Sequence, residues 1–244
     1  MKPFDNIVSA SPVNECIILA GGLGTRLRSV VADVPKCMAP VQGKPFLAYI
    51  IAYLQSYGVE RFIFSLGYKH EVVTQYLTMH FPRLHAELVV EEEPLGTGGA
   101  IKLCCEKAIS NNTLVANGDT LFKADIIQLC NAHLQHAADC TLALKPMQHF
   151  DRYGVVELNE DDSIKSFKEK QFYEQGLING GLYTLNVKQF LQENLPDKFS
   201  FEKDYLEAFY AKRKMIGSVQ DQYFIDIGIP ADYERAQQEL NVEG

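Results

Sequence analysis

Gly21, Gly22 and Gly24 fall within four positions and are followed at once by Thr25 and Arg26. Glycine lets a backbone turn sharply and lets its N–H groups come close to a bulky anion with no Cβ in the way. Arginine adds a planar, permanently charged fork that matches phosphate oxygens. The loop is therefore expected to wrap a nucleoside triphosphate. Lys36 lies in Val34-Pro35-Lys36-Cys37-Met38-Ala39-Pro40, a segment that its prolines keep extended. A lysine held on so stiff a loop, close in sequence to the glycines, suits a phosphate, whereas Lys44 reads as solvated. Asp119 closes the run Thr113-Leu114-Val115-Ala116-Asn117-Gly118, which places a carboxylate at the carboxyl edge of a sheet, where open α/β folds bind ligands. Asp119 as a helix cap is the competing role, but Leu121, Phe122 and Lys123 stand before the next helical pattern. Asp226 lies inside the apolar run Tyr223-Phe224-Ile225-Asp226-Ile227-Gly228. A carboxylate there is costly without a partner or a cation, and a cation shared with Asp119 meets that need. Carboxylates with few nitrogen or sulfur ligands suit Mg2+ rather than Zn2+.

Two familiar glycine loops are excluded. No Lys-Ser or Lys-Thr follows the glycines, so the phosphate loop of GxxxxGK[ST] form is absent. The dinucleotide fingerprint fits only halfway, because its third glycine falls on Leu27. The following strand also ends in Ser65-Leu66-Gly67, without the acid that would hold a ribose.

The elements that must position these groups follow from periodicity. Residues 16–20 form a continuous apolar run, the pattern of a parallel strand covered on both faces. Residues 45–57 read as a helix with Phe46, Leu47, Ile50, Ile51 and Leu54 on one face and Gly58 as its stop. Strands at 59–66 and 86–90 and helices at 69–80, 100–108 and 124–136 continue the alternation. That pattern predicts right-handed βαβ units and a mainly parallel sheet. The glycines from Gly96 to Gly99 are expected to give the 100–108 helix a second close-approach surface. A carboxylate beside it, Glu91, could accept the N1–H and amino hydrogens of guanine. From Asp139 onward the pattern changes to strands at 140–145, 154–158, 164–167 and 177–185, the lip of a sugar pocket. Tyr153-Gly154, Glu169-Lys170 and Asn179-Gly180-Gly181 supply polar groups that suit a phosphorylated polyol. Helices at 201–212, capped by Ser200, and at 231–240 close the chain.

Composition narrows the partners. The chain has 244 residues, 47% hydrophobic, enough for one sizeable core. A net charge of −8 argues against a nucleic-acid or anionic-membrane surface. Six cysteines without CxxC or finger spacing read as reduced packing residues of a cytoplasmic protein. Residues 1–15 carry no apolar core of a signal peptide, and no run reaches membrane-spanning length. Oligomeric state is open, a homo-oligomer included.

Taken together the chain resembles the nucleotidyltransferase superfamily that activates sugar 1-phosphates, over roughly residues 15–240. The likeness rests on LAGGLGTRL at 19–27, PKCMAPVQGKP at 35–45, EPLGTGGA at 93–100, NGD at 117–119, FKEK at 167–170, NGG at 179–181 and FIDIG at 224–228. Where the superfamily usually has a basic residue, Pro, Lys and Pro, this chain has Val34-Pro35-Lys36-Cys37. RYGVVEL at 152–158, INGGLYTL at 178–185, FSFEKD at 199–204 and IDIGIPADYERAQ at 225–237 are similar to the group that transfers GMP from GTP to D-glycero-α-D-manno-heptose 1-phosphate.

The resemblance implies a Rossmann-like α/β three-layer sandwich with a mainly parallel mixed sheet and a small β-rich sugar-binding lobe. It implies one domain over 1–244, with a nucleotide half at about 14–138 and a sugar-phosphate half at about 139–240. Leu19, Ala20, Gly21, Gly22, Gly24, Thr25, Arg26, Glu91, Gly96, Asn117 and Gly118 would meet the nucleotide. Tyr153, Gly154, Glu169, Lys170, Asn179 and Gly180 would meet the sugar phosphate. Arg26, Lys36, Asp119 and Asp226 would be catalytic, the two aspartates holding Mg2+. The alternatives are a hexose 1-phosphate such as mannose 1-phosphate, a UTP, CTP or dTTP donor, and a catalytically idle sensor of nucleotide sugars. The last would be expected to lose the carboxylates or the Arg-Lys pair, and all four residues are present.

Overall fold

The computed structural model describes residues 10–22, 27, 31 and 34–240. Strand β1 (Glu15–Leu19) is buried along nearly its whole length, because Cys16, Ile17 and Ile18 must face protein on both sides. A turn at Lys36–Met38 leads to the two-residue strands β2 (Pro40–Val41) and β3 (Lys44–Pro45). Then come α1 (Phe46–Ser56), β4 (Arg61–Leu66), α2 (His70–His80), β5 (His85–Val90), α3 (Gly96–Cys105) and β6 (Asn112–Asn117). Strand β7 (Thr120–Phe122), α4 (Ile126–His136), β8 (Cys140–Phe150), β9 (Val155–Leu158), β10 (Ile164–Lys168), β11 (Tyr173–Asn186) and α5 (Val187–Leu191) follow. A π-helix at Phe201–Glu207, β12 (Met215–Val219), β13 (Phe224–Asp226) and α6 (Pro230–Glu239) complete the described fold.

A seven-stranded sheet runs in the order β12-β8-β11-β6-β1-β4-β5. β11 alone runs antiparallel to its neighbours β6 and β8; the other pairings are parallel. Alternate residues of β1 and β4 serve two cores. Ile18 and Phe64 pack with α1 side chains such as Phe46, Ile50 and Leu54 on one face. Ile17 and Ile63 pack with Ile101 of α3, Phe190 of α5 and Phe201 and Tyr205 of the π-helix on the other. The result is the three-layer α/β sandwich with a mainly parallel mixed sheet that the sequence predicts. The chain passes from β1 to β4 and β5 on one side, then crosses to β6 on the other. That reversal opens a crevice at the carboxyl ends of β1 and β6.

Two features carry the polar lobe. β8 and β11 are longer than the sequence patterns suggest, and a register shift between Asn179 and Tyr183 bends β11 where its polar residues face the crevice. β7 and β13 form a small antiparallel ribbon in which Asp226 pairs with Thr120. The Ile227 amide donates to the Asp119 carbonyl at 3.0 Å, so this register sets the two aspartates side by side.

Several expectations are corrected. α3 starts at Gly96 rather than 100, and the helix that begins at Phe201, capped by Ser200, is a π-helix over Phe201–Glu207. β12, absent from the sequence reading, adds an edge strand parallel to β8. Helix α4 is capped by Asp125, whose side chain accepts from Ile127 and Gln128 amides at 2.9 and 3.0 Å. All six cysteines are buried free thiols. Among the described residues no helix is long and apolar enough to cross a membrane.

His133 on α4 makes a pH-dependent contribution to stability. Its ring nitrogens lie 3.0 Å from Thr141 Oγ1 and 3.1 Å from Asn112 Oδ1 in the interior. Burial lowers its pKa from the ordinary 6.5 to about 4, against a small opposing pull from Asp139. The unfolded chain therefore takes up a proton below 6.5 that the fold refuses until about 4. Stability should be constant in this respect above that range and fall through it on acidification, by up to about 3 kcal/mol. His133→Gln should flatten that loss in denaturant midpoints measured between neutral and acidic pH; an unchanged slope would contradict it.

Candidate active site

The carboxyl ends of β1, β4 and β5 wall a cavity of about 640 Å3, lined by Leu19, Gly21, Gly22, Ser65, Glu91, Gly96, Thr97, Asn117 and Asp119 among others. Ala20 and Gly118 lie outside this lining: Ala20 is buried, and the Gly118 amide donates to the Leu19 carbonyl at 2.9 Å. Gly24, Thr25 and Arg26 fall outside the described residues. At the cavity wall Glu91 is held at both oxygens, by Ser65 Oγ at 2.6 Å and by the Leu95 amide at 3.0 Å. Ser65 stands where a dinucleotide fold would put its ribose acid, and here it orients Glu91 instead. Each Glu91 oxygen keeps a further lone pair for a donor in the cavity.

Gly96 lines this cavity, and the glycines at 96–99 also meet a distant part of the chain. A Cβ on Gly96 would lie 2.5 Å from the Phe199 carbonyl oxygen, and one on Gly99 would lie 2.1 Å from the Asp197 carbonyl oxygen. The close approach is made by residues 197–199 of the chain itself. The Gly98 amide donates to the Phe199 carbonyl at 3.0 Å, and the Phe199 amide donates to Leu95 at 3.0 Å. These contacts dock the start of α3 against the segment that leads into the π-helix.

A second cavity, of about 620 Å3, adjoins the first and shares Asn117 and Asp119 with it. All six residues expected at the sugar phosphate line it: Tyr153, Gly154, Glu169, Lys170, Asn179 and Gly180. Asn179 is partly committed to the fold, donating to Tyr183 Oη at 2.8 Å and accepting from the Gly181 amide at 3.0 Å. Ser200, Glu202, Lys203 and Glu207 also line this cavity, and the sequence reading gave them no part in it. Glu202 Oε2 accepts from Thr97 Oγ1 at 2.7 Å and Ser200 Oγ at 3.0 Å, which ties the sugar-side wall to the nucleotide-side helix α3. The spacing of Ser200 and Glu202 marks a helix start, but only the fold shows that this start meets Thr97. Glu207 is a raised-pKa carboxyl, shifted first by burial and then by Glu169 across the cavity.

At the junction Lys36 bonds Asp119 Oδ2 and lies 3.6 Å from Asp226 Oδ1. Asp226 is fixed by the Gly228 amide at 2.7 Å on Oδ1, and by Tyr153 Oη at 3.3 Å and Arg152 Nη2 at 3.6 Å on Oδ2. Arg152 in turn bonds Asp232 in the first turn of α6, so the loop before β9 and the start of α6 both brace Asp226. Burial, followed by the Asp226 charge, raises the Tyr153 phenol, which stays a donor at neutral pH. Arg152 was not among the expected site residues; only its neighbour Tyr153 was.

The residues present fit a divalent cation. Asp119, in the turn between β6 and β7, and Asp226, at the end of β13, face one point, and the cation already between them is the Lys36 ammonium. Among the described residues no group of three or more His, Cys, Asp or Glu side chains is placed to hold a metal. An ion here would complete its shell with water and phosphate oxygens, as Mg2+ commonly does.

A polyanion-sized crevice at the strand ends, a polar lobe beside it and two carboxylates at their junction define a nucleotidyl transferase. The chain belongs to the nucleotidyl transferase family, which it matches over residues 15–243. It is 49% identical to the D-glycero-α-D-manno-heptose 1-phosphate guanylyltransferase of Aneurinibacillus thermoaerophilus, over 93% of this chain and 98% of that protein. It is 47% identical to the protein of the same name from Campylobacter jejuni, over 90% of this chain and 96% of that one. The crystal structure of HddC from Yersinia pseudotuberculosis complexed with GMP-PN superposes with a TM-score of 0.84 at 38% identity, covering 94% of this chain and 100% of that one.

Proposed function

We propose that this chain transfers GMP from GTP to D-glycero-α-D-manno-heptose 1-phosphate in a Mg2+-dependent reaction that releases pyrophosphate. The observation that carries the reading is the junction of two cavities at Asn117 and Asp119, with Lys36 and Asp226 beside it. The choice of GTP and heptose is supported by the two guanylyltransferases that resemble this chain along nearly their whole length, and by the guanosine-type ligand named for HddC.

In this reading the nucleotide lies in the cavity of Leu19, Gly21, Gly22 and Glu91, its base toward Glu91 and Gly96. The sugar phosphate lies in the cavity of Tyr153, Glu169, Lys170 and Asn179. A phosphate oxygen of the sugar 1-phosphate attacks the α-phosphorus in line, and the bond to pyrophosphate breaks. The attacking oxygen is already anionic, so no side chain has to remove a proton. The obstacle is repulsion between two polyanions brought into contact. Lys36, Lys170 and Arg26 offset that charge, and holding both phosphates in fixed cavities supplies the in-line geometry. Asp119 and Asp226 would hold Mg2+, which when bound would supply further charge neutralisation at the reacting phosphates.

Pyrophosphate release measured across GTP, UTP, CTP and dTTP, with heptose, mannose and glucose 1-phosphates, tests the substrate reading. GTP with heptose 1-phosphate should give the highest kcat/KM. A higher value for another pair would overturn the assignment of base or sugar.

A further inference from the structure

Lys36 holds an arrangement that its role as a phosphate ligand does not require. Its ammonium bonds Asp119 and reaches Asp226 at 3.6 Å, and only 15% of the side chain is exposed. The backbone beneath it is anchored, since Cys37 and Met38 of the same turn are buried in the core. Gly228 leaves room for the contact: a Cβ there would lie 3.1 Å from Lys36 Nζ and 2.8 Å from Asp226 Oδ1. A single positive charge thus stands between two carboxylates that would otherwise repel each other.

An ammonium seated between these carboxylates competes with a divalent ion for the same point, because the two cations repel each other and share its oxygens. Lysine has a compact charge on a flexible stem, so its head can leave while the turn stays in place. We propose that Lys36 is a positioning residue as well as a phosphate ligand: in the free enzyme its ammonium holds Asp119 and Asp226 at the metal position, and it yields both when a divalent cation binds. The proposal rests on the assignment of this carboxylate pair to the metal. By linkage, Lys36 lowers the metal affinity of the nucleotide-free enzyme, and phosphates that draw Lys36 away restore it. The enzyme is thereby built to take up metal together with nucleotide.

Two measurements on the nucleotide-free chain test this. Reductive methylation read by peptide mass spectrometry should show Lys36 reacting several-fold faster when Mg2+ is added, with Lys170 unchanged, because a side chain released from both ion pairs is open to the reagent. Mn2+ titration followed by paramagnetic resonance should show Lys36→Met binding about tenfold more tightly than wild type, within the usual range of coupling between sites. Lys170→Met removes the same charge from the same cavity and should shift Mn2+ affinity much less. Equal tightening in the two variants would reveal a general charge effect and overturn the proposal. So would a Lys36 reactivity that Mg2+ leaves unchanged or lowers, a result the wild-type chain gives even if the variant fails to fold. Absence of Mn2+ binding in both wild type and Lys36→Met would remove the metal assignment, and the proposal with it. Binding at equal affinity would overturn the proposal alone.

Discussion

Asp226→Asn should lower turnover by on the order of 10^3-fold while the protein melts close to the wild-type temperature. Asparagine keeps the size of the side chain and an oxygen for the Gly228 amide, which donates at 2.7 Å. What it loses is the charge that faces Lys36 and, in the proposed reaction, the metal. Asp119→Asn should behave alike, since the β7–β13 register sets the two residues at one point. Neither carboxylate closes a hydrophobic core, and both are partly exposed, at 34% for Asp119 and 21% for Asp226. Steady-state pyrophosphate release at saturating substrates checks the effect. Near-normal turnover in either variant would remove that residue from the reaction centre.

The largest loss of stability is expected far from the crevice, at the other end of β1. Glu15 is buried with 1% of its side chain exposed, bonded to Arg61 and accepting from the Ile109 and Ser110 amides at 3.2 and 3.4 Å. Arg61 also donates to the Lys107 carbonyl at 3.0 Å, so the pair fastens β1 and β4 to the loop before β6. Glu15→Ala leaves a guanidinium and two amides without their acceptor and should cost about 3–5 kcal/mol. At this chain length that corresponds to a fall in Tm of roughly 10 °C. Calorimetry should show it, with kcat at low temperature unchanged; a fall below about 1 kcal/mol would mean that water replaces the carboxylate.

Much of this architecture was legible because apolar periodicity is local. β1, α1, β4 and α2 could be read from residues that contact one another within a few positions, and their observed bounds differ by only a residue or two. The residues that meet at the junction were also legible, since Lys36, Asp119 and Asp226 stood out as charged groups beside apolar runs. What could not be read is how distant segments meet. β13 was read as an apolar strand around Asp226, but β7 has only three residues, too short for periodicity to register, and their pairing is what joins Asp119 to Asp226. β12 escaped because Gly217 and Ser218 dilute its apolar pattern, and its strand identity depends on β8 beside it. The glycines at 96–99 were read as space for a ligand; Gly96 lines the cavity, but Gly98 and Gly99 also give residues 197–199 room to pack, which sequence alone did not show. Glu202 and Arg152 gained meaning only from partners on other elements, Thr97 and Asp226.

Anomalous scattering from Mn2+ in crystals grown with a non-hydrolysable GTP analogue addresses the shared reaction centre most directly. A single peak about 2.1 Å from an oxygen of each of Asp119 and Asp226, touching the nucleotide phosphates, is the predicted result. A peak bound by neither carboxylate, with Lys36 still between them, would contradict the account.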